Sequence, residues 1–168
     1  TRAVLTDPAR FTSRYGTGLY PTAPVEGASL NLSDPPQHQQ LRGKIQGWWT
    51  QRLQTCNDSI IAAGQALFAR QCAQGQGDFA QQVAIPWAFE SLRLMLQFPR
   101  NSPLLELSRA VIFSQSRSQF SQADAALLSW LTAHPLRVVP DLNQPDLAYL
   151  ERLLLVTGWA STAALLSR

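Results

Sequence analysis

The last stretch of the chain, Asp146 to Arg168, limits the possible fold more than any other. It reads DLAYLERLLLVTGWASTAALLSR. Leu147, Leu150, Leu153 and Leu154, then Ala163, Leu165 and Leu166, follow helical spacing. Between them runs Thr157-Gly158-Trp159-Ala160-Ser161-Thr162, a patch of small and hydroxyl residues inside a greasy helix. A glycine there costs about 1 kcal/mol relative to alanine. Serine and threonine compete for the helix's own carbonyls and bend it. A long core helix softened in its middle predicts something lying against that middle: another helix packed through small residues, a cofactor or a substrate. The charged pair Glu151-Arg152 leaves too short an apolar run to cross a bilayer, so the pattern predicts a buried helix and no membrane partner.

The rest of the composition agrees with a helical, water-facing domain. A chain of 168 residues suits one domain, 1–168, with a real core. Its surface is Gln-rich rather than charged, because only 15% of residues are charged. The basic residues are arginines apart from Lys44, and they stand singly, so no nucleic-acid surface is expected. Isolated arginines serve ion pairs or small anions. Cys56 and Cys72 form neither a metal-ligand pattern nor a disulfide framework, which points to a reducing, cytoplasmic setting. No leader pattern opens the sequence. Thr1-Arg2-Ala3-Val4-Leu5 reads like the middle of something and Ser167-Arg168 carries no helix stop, so both ends are expected to be cut.

Taken in order, the chain predicts about six to seven helices and no strand. Thr6-Asp7-Pro8-Ala9-Arg10-Phe11 is a helix start. Thr12 to Asn31, with its glycines and prolines, is a loop long enough to act as a lid or binding wall. Ser33-Asp34-Pro35-Pro36 opens a helix that is expected to end near Gly47-Trp48-Trp49. His38 and Arg42 are four apart on it, hence on one face, where two cationic donors can grip a carboxylate or phosphate or simply face water. Further helices are expected over Thr50 to Gln74, Val83 to Phe98 and Leu104 to about Phe113, then over Gln122 to Ala133 with Ser121 as its cap. His134-Pro135 stops that helix, and Leu136 to Gln144 connects to Pro145, which opens the last. No Ser-His-Asp order, phosphate loop or paired metal ligands stand out.

Three stretches together resemble one family. Asp34-Pro35-Pro36-Gln37-His38-Gln39-Gln40-Leu41-Arg42 is similar to the D-P-P-x-H-x-x-L-R helix of the haem-thiolate cytochrome P-450 enzymes. Leu153 to Thr162 resembles their long central helix, L-L-L-V-A-G-x-E-T-T. Val4 to Ser13 is similar to the segment preceding the substrate-facing loop in bacterial members. The three occur in the family's order, and the resemblance covers nearly the whole chain.

The resemblance implies an all-α, partial P-450-like fold ending in the oxygen-site helix. His38 and Arg42 would hold haem propionates, and 12–31 would be the loop over the pocket. Gly158, Ser161 and Thr162 would line the oxygen site, where the family pairs an acid with an alcohol. Here Ala160 takes the acid position and Ser161 the alcohol position. The family's thiolate loop is expected beyond Arg168, because neither Cys56 nor Cys72 sits in such a loop. Two expectations follow. One is the front part of a haem-dependent monooxygenase, with a small apolar substrate and a redox partner, not competent alone. The other is a haem-free helical domain that binds a protein partner through the apolar face left open.

Overall fold

The computed structural model describes residues 30, 34–135, 142 and 144–166. The expected helix start at 6–11 lies outside them, as does the loop over 12–31 apart from Leu30. Among the described residues there is no strand, and the all-α expectation holds. The helices are α1 (Gln37–Gln74), α2 (Ile85–Leu96), α3 (Leu104–Ile112), α4 (Arg117–Ala133), α5 (Gln144–Leu153) and α6 (Trp159–Leu166). A π-helical turn, Ala80–Ala84, runs straight into α2, and a second, Leu154–Gly158, joins α5 to α6. The described chain is therefore five continuous rods: of the six to seven helices expected, the one at 6–11 lies outside the described residues, and the two around Gly47 are one.

The main difference is α1, which does not stop at Gly47-Trp48-Trp49 but continues to Gln74. Its 38 residues span roughly 57 Å at 1.5 Å per residue. The glycine penalty at Gly47 is offset by its neighbours. Trp48 packs on the cores around Leu96 and Ile45, and Trp49 on the core around Trp159. Burying even part of two indoles outweighs about 1 kcal/mol of propensity. The true stop is Gly75, whose left-handed backbone (φ +75°) returns its N–H to the Cys72 carbonyl.

Polar contacts from three side chains, Arg52, Cys56 and Trp87, fasten α1 to α2. The Arg52 guanidinium donates from Nε to the Met95 carbonyl (3.0 Å) and from Nη2 to the Leu94 carbonyl (2.7 Å), filling acceptors left open at the end of α2. The buried Cys56 thiol also lies against the Leu94 carbonyl, at 3.5 Å. Trp87 Nε1 donates to the Ile60 carbonyl at 2.8 Å. Its indole fills the space beside Gly64, where a Cβ would meet ring atoms less than 3.0 Å away.

Local chemistry explains the other boundaries. The rod containing α2 starts at Ala80, ahead of the expected Val83, because the Asp78 carboxylate caps the Gln81 N–H (3.1 Å). Pro86 lacks an N–H and its ring crowds the turn before it; the wider π turn directly upstream accommodates both. The cap of α4 is Ser116, not Ser121. Its extended backbone lets Oγ accept from the Gln119 N–H at 3.2 Å, while Gln119 Oε1 accepts from the Gln115 N–H at 2.9 Å. His134 closes α4, its ring stacked on Trp130 with Nδ1 3.0 Å from the Trp130 carbonyl.

The last rod is surrounded. Leu155 and Ala148 enter a core with Leu96, Phe98, Leu104, Val111, Leu127 and Leu131. Trp159 and Ala163 enter another with Ala84, Ala88 and Leu92. Leu147 and Leu150 pack on Ile45 and Leu30. Because Trp87 occupies the Gly64 notch, Gly64→Ala is expected to destabilise the protein by about 1–3 kcal/mol through overpacking. Gly47→Ala meets nothing within 4 Å, and is expected to gain up to about 1 kcal/mol of helix propensity. Urea denaturation of both variants checks the pair, and equal shifts would remove the Trp87 contact from this account.

Candidate functional site

The irregularity of the last rod lies mostly ahead of the expected soft patch, sharing only Thr157 and Gly158 with it, while Trp159 to Thr162 is regular α-helix. Leu154–Gly158 is wound as a π turn, a feature that often marks functional positions. The soft patch's three hydroxyls turn back on the helix. Thr157 Oγ1 donates to the Leu153 carbonyl (2.8 Å), Ser161 Oγ to the Thr157 carbonyl (2.6 Å), and Thr162 Oγ1 to the Gly158 carbonyl (2.7 Å). Ser161 Oγ also lies 3.4 Å from the Gly158 carbonyl. Thr157, Ser161 and Thr162 are exposed, so each hydroxyl spends its proton on the backbone and presents its lone pairs outward. Gly158, Ser161 and Thr162 thus form one cluster.

The opposite side of this turn is packed. A Cβ on Gly158 would meet the Leu92 methyl at 3.3 Å, so the glycine lets α2 approach closely. Ala160 is half-buried on the same core. Trp159 is fully buried and donates from Nε1 to Ser108 Oγ at 3.0 Å. Ser108 passes its own proton to the Leu105 carbonyl at 2.9 Å. The charges upstream are not a solvated break either. Glu151 is buried, and Arg152 pairs with Asp124 of α4, with side chains only 12% and 16% exposed.

His38 and Arg42 lie on the first turns of α1. The Asp34 carbonyl accepts the His38 N–H at 3.1 Å, and Leu41 between the two residues is buried. His38 is half-buried and Arg42 exposed, so the pair stands at the molecular edge one turn apart. The described contacts keep this pair away from the hydroxyl cluster. Ile45, next along, packs on Leu147 and Leu150 of α5, whereas Ser161 lies 11 residues beyond Leu150, roughly 16 Å along the rod.

The cationic pair suits a carboxylate-bearing group. A thiolate ligand is not offered nearby. Cys56 is committed to the α1–α2 contact, and Cys72 is exposed roughly 45 Å along α1 from Arg42. Among the described residues no cluster of three or more His, Cys, Asp or Glu side chains is placed to hold a metal ion. No described helix is long and apolar enough to cross a membrane. Neither family models nor curated proteins yield a match to this chain.

Sequence reasoning placed the end of the π turn and missed what fixes it. Ser108 gave no signal, since a serine in an apolar helix reads as a neutral position. Losing the buried donor in Trp159→Phe is expected to cost about 1–3 kcal/mol. The double variant with Ser108→Ala should cost less than the two single variants summed, with a coupling of about 0.5–1.5 kcal/mol in a double-mutant cycle. Strict additivity in that cycle would break the proposed link.

Proposed function

We propose that this chain is the front part of a haem-thiolate oxidoreductase of the cytochrome P-450 type. What carries the reading is the run Asp34 to Arg42, whose His38 and Arg42 share one face at the edge of α1. In this reading the two side chains hold haem propionates by charge-assisted hydrogen bonds. The hydroxyl turn of Gly158, Ser161 and Thr162 borders the oxygen side, and the substrate is a small apolar molecule. Bound haem would supply the oxidising chemistry, with a separate redox partner as electron source.

The residues themselves set limits on that chemistry. Ala160 cannot carry a proton. Ser161 can pass one outward only after releasing the Thr157 carbonyl it now holds. The relay is therefore thinner than an acid–alcohol pair, and proton delivery becomes the weak step. The thiolate ligand is assigned to residues outside 1–168, since Cys56 and Cys72 are unsuitably placed.

A second reading has its own observation. Leu53, Ile61 and Phe68 are exposed on one face of α1, and Phe79 meets Phe68 edge-on at 6.5 Å between ring centres. Such a face suits a haem-free helical domain that binds a protein partner.

Absorption spectra distinguish the two. Under the first reading the chain binds added haemin, and Arg42→Ala weakens that binding by about tenfold, the loss of one charged hydrogen bond. Unchanged affinity would return Arg42 to a solvated face, and no binding by the unaltered chain would favour the haem-free domain. After reduction and addition of carbon monoxide, no thiolate-type Soret shift is expected. Its appearance would contradict placing the ligand elsewhere.

A further inference from the structure

A groove of about 470 Å³ opens between α1 and α2, away from both sets of residues described above. Arg70 on its rim lies 28 residues beyond Arg42, roughly 42 Å along α1. Ala63, Ala66 and Leu67 of α1 form the floor with Pro86 of the facing helix. They recur at helical spacing, with Arg70 as the next position on the same face. The volume falls within the range of about 300–1,000 Å³ usual for small-molecule sites.

Charged side chains rim the groove. Glu90 is bound by the Arg93 guanidinium through Nε (2.6 Å) and Nη2 (2.8 Å). That hydrogen-bonded pair holds the Glu90 carboxyl below its ordinary range, so it stays ionised and already matched. Arg100 reaches the same carboxylate only at 3.3 Å and is 82% exposed. Arg70 is exposed and makes no ion pair with a described residue. Arg93 and Arg100 thus share the one carboxylate, and Arg70 adds an unmatched guanidinium to the groove's rim, leaving net positive charge beside an apolar floor.

We propose that this groove binds a small amphipathic carboxylic acid. Its chain lies on Ala63, Ala66, Leu67 and Pro86, and its carboxylate between Arg70 and Arg100. Guanidinium forks match carboxylate geometry, and the floor rewards a hydrocarbon tail. A neutral alcohol of equal length forgoes the charge, and an alkylammonium is repelled by it.

The test is an amide-resolved NMR titration of the chain with octanoate, octanol and octylammonium. Octanoate is expected to saturate with shifts centred on Ala63, Ala66 and Leu67, and to bind about tenfold more tightly than octanol. The double variant Arg70→Gln, Arg100→Gln should lose about tenfold in octanoate affinity, and Ala66→Trp, which fills the floor, should abolish saturation. Octanol or octylammonium binding as well as octanoate would overturn the proposal. So would octanoate shifts centred elsewhere, or a tighter complex with a glutamate-rich hexapeptide, which would make the groove a protein-binding site. The wild-type comparison of the three ligands decides the matter even if a variant fails to fold.

Discussion

A buried indole must give its N–H to something, and in this protein Trp159 gives it to Ser108. That bond fixes the rotation of the last rod against α3, and the rest of the core is arranged around the result. With Trp159 turned inward, Gly158 faces Leu92 and Ala163 joins the same cluster. Thr157, Ser161 and Thr162 are then left on the outer side. That interior hydrogen bond thereby helps set which side of the last rod is packed and which side carries the outward hydroxyls. The π turn lies just ahead of this division, with Leu155 packed inward and Thr157 outward.

Much of the architecture was legible in the residues. Leucine spacing from Leu147 to Leu166 located the final rod, but the Gly-Ser-Thr run marked only the end of its irregular turn, at Thr157 and Gly158. The four-residue step from His38 to Arg42 put both on one face. What stayed hidden were the places where distant residues outvote local ones. Gly47-Trp48-Trp49 looks like a helix end, yet the two indoles find partners on other rods and carry α1 through. Ser116 and Ser121 are equal as caps on local propensity, and the reciprocal contacts with Gln119 favour the first. The S-x-x-Q spacing from Ser116 to Gln119 was the available signal.

The candidate site was legible only as two separate halves. Side-chain type and spacing mark a cationic pair and a hydroxyl turn, but spacing says nothing about which part of one helix meets which part of another. The contact of Ile45 with Leu147 and Leu150 sets that relation, and it places the pair alongside α5 rather than α6. The groove between α1 and α2 was invisible for the same reason. Arg70, Glu90 and Arg100 lie on three stretches, and their grouping follows from how closely Trp87 lets α2 approach Gly64.

Arg52 has an effect that reaches beyond its two hydrogen bonds. A helix normally loosens first at its end, where carbonyls lack partners in the chain. Here the end of α2 is held by a side chain from the middle of α1, well inside a rod that cannot loosen locally. The weakest turn of the shorter helix thus borrows the rigidity of the longer one's interior. Opening the end of α2 therefore has to break a tie to the neighbouring helix, which couples the stability of the two.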